Sequence, residues 1–401
     1  MIFFELIRIA IGRQERLRST PTAEEWKEVY DLAQRQTLTG IAFCGVQRLP
    51  EEQRPPRQLL MKWYMAAEQI RRKNEQMDRR TLAVANKFAE EGFPGVVLKG
   101  QGVAQLYRVE QIENSKLKIE DGHESTLSST STLGDYRTPG DIDIWLFGER
   151  KDILRYVRRH VPDCKPVYHH VDFPVIEGLP IEVHFTPSWM NSPFTNRRLQ
   201  RWFKQLTIDN TQFTIHNSQL TISSAASLTG TEGASMIPTP TLAFNRVYIL
   251  VHIYRHLFHE GIGLRQLLDY YFVLHQGFTE EERTETMRTL RSLRMQRFTA
   301  AVMWVLQEVF AMDERYLLTD PNEEEGRFLL SEIMLAGNFG HYDERIKRSA
   351  KVTEWGLFCR RVGRNLRFLR SYPSEVLWSP FFKLWHAVFR FAVVNRSGAP
   401  G

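Results

Sequence analysis

The stretch RTPGDIDIWLF, residues 137–147, constrains the fold more than any other. Ile142, Ile144, Trp145, Leu146 and Phe147 read as a buried strand, yet that strand carries Asp141 and Asp143. Alternate residues of a strand share a face and lie about 6.5–7 Å apart, so the two aspartates point one way and Ile142 and Ile144 the other. In IEVHF the same alternation sets Glu182 and His184 on one face, with Ile181, Val183 and Phe185 behind them. If the two strands are neighbours, three carboxylates converge. Such a cluster repels itself unless a cation sits among the oxygens, and hard oxygen ligands favour Mg²⁺ or Mn²⁺. Two such ions about 3.5–4 Å apart can clamp the attacking and leaving oxygens of a phosphoryl transfer.

The rest of the chain divides by texture. Residues 1–90 read as an N-terminal helical region, with a capped start at TAEEWKEVYDLAQRQ and a glycine stop at Gly92. Residues 91–216 read as a small α/β domain. FPGVVLKG is a short strand closed by glycine, GQGVAQLYR resumes a helix, DIDIWLF is a second strand and ERKDILRYVRRHV is an amphipathic helix. HHVDFPVIEGLPIEVHF is a hairpin turning at Glu177–Pro180. Residues 109–136 interrupt this domain with a polar, Ser/Thr-rich insertion expected to be flexible, and residues 217–236 read as a similar loop or linker. A C-terminal helical domain spans 237–401.

The 401 residues are enough for two or three cores. A formal charge of +6 fits phosphate contact somewhere without singling out a nucleic-acid binder. Cys44, Cys164 and Cys359 are scattered with no CxxC pair, which points to a reducing compartment. The apolar start MIFFELIRIAIG carries Glu5 and Arg8, unlike a secretory signal, and no uncharged run of predominantly apolar residues reaches the about 20 residues of a membrane-spanning helix. The expected location is the cytoplasm.

Asp-x-Asp alone also fits a solvated strand face, or the metal motif of many glycosyltransferases. Its neighbours narrow the choice, because VVLKGQG is a strand turning through Gly100 into a helix, a geometry that offers backbone N–H groups to phosphate. Taken in order, LKG, LY, an arginine, GDIDIWL and IEVHF resemble the nucleotidyltransferase superfamily with the polymerase-β-like fold. The nearest resemblance is to the bacterial group called the uncharacterised nucleotidyltransferase family, across roughly residues 90–275. The resemblance implies an α+β protein, a small mixed-sheet nucleotidyltransferase-fold domain flanked by helical regions at both ends. It implies that Asp141 and Asp143 bind both metals. Glu182 would be the third carboxylate, binding the catalytic metal and helping to deprotonate the acceptor. Gly100 and the following amides would hold the β- and γ-phosphates, with Lys99 and Arg137 neutralising the triphosphate. Many superfamily members have Gly-Ser at this turn, whereas this chain has Gly100–Gln101, whose amide would replace the hydroxyl.

The implied activity is Mg²⁺- or Mn²⁺-dependent transfer of a nucleoside monophosphate from a nucleoside triphosphate to a hydroxyl, with release of pyrophosphate. The acceptor stays open between a small molecule, a protein side chain and an RNA end. A non-catalytic nucleotide-binding module of the same fold is one alternative, and a DxD glycosyltransferase is another.

Other features have plainer readings. His252, His256 and His259 share a helix, but no glutamate follows His252 as a zinc HExxH motif requires, so they read as polar residues facing the cleft. Arg265 and Asp269, four apart, read as a helix pair, with a contact from Arg265 to nucleotide as the alternative. His184 is expected to support the site by hydrogen bonding. FCRRVGRNLRFLR and LWSPFFKLWHAVFRF read as a packing face with solvated arginines, or as a surface for nucleic acid or anionic lipid.

Overall fold

The computed structural model describes residues 1–107, 131–173, 179–209, 220–221, 237–340, 342–343 and 354–397. Helices α1 (Ile2–Ala10), α2 (Ala23–Arg35), α3 (Thr39–Arg48) and the long α4 (Arg57–Glu90) lead into a four-stranded mixed sheet. The expected helix start is present at Thr22, whose hydroxyl accepts from the Glu25 backbone N–H while Glu25 caps Thr22 in return. Gly92 ends α4 at a φ of +84°, the left-handed conformation that favours glycine.

The sheet has the order β1 (Gly95–Val97), β2 (Ile142–Leu146), β4 (Ile181–His184), β3 (His170–Asp172). β2 runs antiparallel to β1 and parallel to β4, and β3 pairs antiparallel with β4 as the expected hairpin. The turn expected at 177–180 lies partly outside the described residues. Helices α5 (Gln101–Ala104), α6 (Arg150–His160) and α7 (Pro193–Asp209) belong to the same region. Strands β5 (Leu220–Thr221) and β6 (Thr239–Pro240) form a separate pair, so the stretch expected to be a linker contributes a short strand. Leu133–Tyr136, expected within the polar insertion, forms a 3₁₀ turn that buries Leu133 and Tyr136. These are the apolar residues of that segment, and the fold uses them; most of the remaining insertion lies outside the described residues.

The C-terminal helices are α8 (Leu242–His259), α9 (Leu264–His275), α10 (Glu280–Ser292), α11 (Gln296–Phe310), α12 (Glu323–Ala336), α13 (Glu354–Leu366) and α14 (Pro373–Ser397). The two helical flanks share one core. Phe3, Leu6 and Ile7 belong to the same buried cluster as Val305, Leu306 and Phe310, and Arg8 and Arg13 donate to the carbonyls of Val309 and Ala311 at 3.2 Å each. One face of the sheet joins this core through Val96, Leu98 and Trp145. The other face forms a smaller core in which Ile142, Ile144, Ile181 and Val183 meet Val84 and Phe88 of α4 and Ile153 and Tyr156 of α6. The sheet is therefore covered on both sides, and the acidic face is the one turned toward α8.

Candidate active site

Pairing of β2 with β4 sets Asp143 opposite Glu182 and Trp145 opposite His184. Because alternate side chains share a face, the isoleucines and valines go into the smaller core while Asp143, Trp145, Glu182 and His184 face α8, where Trp145 stacks on Phe244 at 5.8 Å. Asp141 precedes the first residue of β2. The convergence of carboxylates expected from alternation therefore holds for Asp143 and Glu182 through strand register, with Asp141 beside them.

A cation already stands among these acids. The Lys99 ammonium lies 3.0 Å from Asp143 Oδ2 and 3.6 Å from Asp141 Oδ1. On the other side of Asp143, His184 Nε2 is 2.9 Å from Oδ1 and 3.3 Å from Glu182 Oε2. His170 Nδ1 lies 3.2 Å from the same Glu182 oxygen. Burial alone would raise the Asp143 and Glu182 pKa values, yet both fall. Lys99 and His184 hold Asp143 down, while the His184 hydrogen bond and the charge of His170 bring Glu182 to about 2. Burial would lower Lys99 and His184, and their acidic partners raise both instead. The oxygens of Asp143 and Glu182 and a nitrogen of His184 lie within 4.8 Å of one another, close enough to share one metal ion. Asp141 stands outside that group. The donor set is two hard carboxylates with one imidazole, and it already gathers round a positive charge, so it fits a divalent cation.

A narrow cleft opens beside the acids. Lys99, Gly100, Gly140 and Asp141 form one wall, and Ile249, His252, Ile253, Arg265 and Gln266 form the other. Gly100 has a φ of +61°, which an L side chain adopts only with strain, and this sharp turn brings Lys99 back over the acids. Gln101 is turned away. Its buried amide donates to Asp78 Oδ1 at 2.5 Å and to Asn74 Oδ1 at 3.3 Å, which ties α5 to α4.

Arg137 lines the cleft with its guanidinium already engaged. Nε and Nη2 donate to the two oxygens of Asp269 at 2.6 and 2.7 Å, and Tyr107 donates to the same carboxylate at 2.5 Å. Asp269 takes the bidentate partner across 132 residues of chain, and Arg265 donates to the Thr138 carbonyl at 2.9 Å. Replacing Asp269 with Asn would leave a buried guanidinium without its counter-charge, at a cost of about 3–5 kcal/mol. Chemical denaturation of Asp269→Asn is expected to show that loss. A change within about 0.5 kcal/mol would contradict the buried pair, since that is the effect of an ordinary surface substitution.

Sequence reasoning missed His170, Arg255 and Trp189. His170 was within reach of it, because a hairpin centred on residue 177 pairs His170 with His184 and Asp172 with Glu182. Arg255 lies 3.9 Å from the centre of the Trp189 ring and donates to His256 Nε2 at 2.7 Å. The three helix histidines diverge. His252 lines the cleft, His256 meets Glu260 at 2.9 Å, and His259 meets Asn191 at 3.1 Å. Among the described residues none of the three belongs to a possible metal group. Burial, then the charge of Arg255, lowers the pKa of His256 to about 4. A depressed histidine contributes stability above its unfolded value of about 6.5 that is lost as pH falls toward the folded value. Going from pH 7 to pH 5 is thus expected to cost the wild type about 2 kcal/mol more than it costs His256→Gln. Equal pH dependence of denaturation in the two proteins would contradict the neutral buried imidazole.

A family model described as an uncharacterised nucleotidyltransferase matches residues 22–112 and 134–311. No curated protein and no solved structure matched the chain. The match takes in the Lys99–Gly100 turn, both aspartates, Glu182 and the α8–α9 wall of the cleft, and it covers more than half the chain. The chain therefore belongs to the uncharacterised nucleotidyltransferase family.

Proposed function

We propose that the protein transfers a nucleoside monophosphate from a nucleoside triphosphate to an acceptor hydroxyl in a divalent-metal-dependent reaction. The observation that carries this reading is the register of Asp143 against Glu182 on neighbouring parallel strands, with Asp141 and the Lys99–Gly100 turn beside them. Asp141, Asp143 and Glu182 would hold Mg²⁺ or Mn²⁺, with His184 behind Asp143 and Glu182. When bound, the metal supplies charge neutralisation at the triphosphate and at the acceptor oxygen.

The chain's own groups do the rest. The acceptor oxygen forms a bond to the α-phosphorus, the bond from that phosphorus to the bridging oxygen breaks, and pyrophosphate leaves. Glu182 takes the hydroxyl proton. A carboxylate held near 2 is a weak proton acceptor, so this transfer happens only as the new bond forms. Lys99 would leave the aspartates for the phosphates once a metal takes its place. With α5 only four residues long, its dipole adds little, and the phosphate charge falls on Lys99 and the Gly100 backbone. Arg137, committed to Asp269, would shape the cleft and add its charge at longer range. The free thiols Cys44, Cys164 and Cys359 are consistent with a reducing, cytoplasmic setting.

The test is incubation of the protein with each labelled nucleoside triphosphate, Mg²⁺ and a cell lysate. Stable label on a protein, RNA or metabolite, dependent on metal, supports the reading and names the acceptor. Metal-dependent nucleotide binding with no labelled product for any nucleotide favours the non-catalytic module.

A further inference from the structure

We infer that the outer face of α14, with the α13–α14 corner, docks on an anionic lipid surface. The inner face of α14 is fixed to the protein. Phe382 stacks on Trp189 at 5.9 Å, Trp385 meets Tyr168 at 5.4 Å, and buried Glu375 accepts from the backbone N–H groups of Asn191 and Ser192. The opposite face is also apolar. Leu377, Phe381, Leu384 and Val388 follow helical spacing and are 57%, 64%, 67% and 61% exposed. A helix apolar on both sides requires a second apolar environment beyond the one it already packs against. Beside this stripe opens a cavity of about 370 Å³ lined by Tyr168, Met190, Pro193, Trp378 and Phe381, large enough for the end of an acyl chain.

Charge selects the occupant. Residues 354–397 hold eight Arg and Lys against two Glu, a formal +6 that equals the net charge of the whole chain. The rest of the protein therefore balances to zero. Arg367 and Arg370 reach Glu332 and Glu324, Arg364 is buried against backbone carbonyls, and Arg361 is exposed. A second copy of this chain would bring like charge against like charge. A nucleic acid could stack on Phe381 but would leave aliphatic Leu377, Leu384 and Val388 against a charged backbone. Anionic headgroups over an apolar interior match both the charge and the aliphatic stripe. No described helix is long and apolar enough to cross a membrane, so this mode is interfacial.

The test uses the full chain and sedimentation with phosphatidylcholine vesicles, alone or with roughly one quarter phosphatidylglycerol. Binding is expected to be at least about tenfold tighter to the anionic vesicles and to weaken strongly as salt rises from about 0.1 to about 0.5 M. The triple variant Leu377→Ser, Leu384→Ser, Val388→Ser changes only exposed side chains, so its melting temperature should hold while vesicle binding drops at least about tenfold. Equal binding to neutral and anionic vesicles, or full binding by the triple variant, would overturn the inference. So would failure to bind vesicles, whether the chain instead retains a single-stranded RNA oligonucleotide or forms a dimer that the triple variant loses.

Discussion

Glu182→Gln is expected to keep nucleotide affinity within a few-fold and to lose transfer by on the order of 10²-fold or more, the range for removing a positioned proton acceptor. Glu182 sits where ground-state binding and bond formation can be separated. Its oxygen is shared between His184 and His170, and its strand neighbours Ile181 and Val183 are locked in the smaller core. Glutamine fills the same space, so the sheet should survive, and circular dichroism checks that. On the proposed reaction, what would be lost is a negative charge and a proton acceptor at the acceptor oxygen, a contribution made mainly in the transition state. Pyrophosphate release by wild type and variant at saturating nucleotide makes the comparison. Equal rates would remove Glu182 from the chemistry.

Asp141→Asn combined with Asp143→Asn should abolish Mg²⁺-dependent nucleotide binding. The two positions differ in what else they do. Asp143 is buried and pairs with Lys99 and His184, so neutralising it strands a buried ammonium at a cost of about 3 kcal/mol. Asp141 is 36% exposed on its side chain and meets Lys99 at the longer distance, so Asp141→Asn alone should leave stability nearly unchanged. Calorimetric titration of Mg²⁺ and nucleotide into the single and double variants separates ligand loss from loss of fold. Unchanged metal-dependent affinity in a folded double variant would rule out the aspartates as ligands.

The sheet was largely legible because period-two alternation is a local signal. DIDIWL and IEVHF declare which side chains point into the apolar core behind the sheet, and the hairpin follows from two such runs around one turn. The cap at Thr22 and the stop at Gly92 depend on residues within a single turn of helix. The features that escaped are pairings between distant segments. Asp269 holds Arg137 in a bidentate buried contact across 132 residues of chain, a partner that no helix spacing indicates. The shared core of the first and last helices is invisible for the same reason, since an apolar helix face does not name its partner. In the site, alternation indicated the face shared by Asp143 and Glu182, but not that Lys99 would lie between Asp141 and Asp143. A side-chain direction of that kind is set by the Gly100 turn and by the charge it meets.

Following the two ends of the triphosphate separately decides the reaction. The protein is given a nucleoside triphosphate labelled on the α-phosphate, or the same nucleotide labelled on the γ-phosphate, with Mg²⁺ and the acceptor found in the lysate screen. Nucleotidyl transfer requires the α-label to appear on the acceptor and the γ-label to appear in pyrophosphate, both lost on chelation of the metal and in Glu182→Gln. Transfer of the γ-label to the acceptor, or an α-label that moves equally well after chelation of the metal, would contradict it.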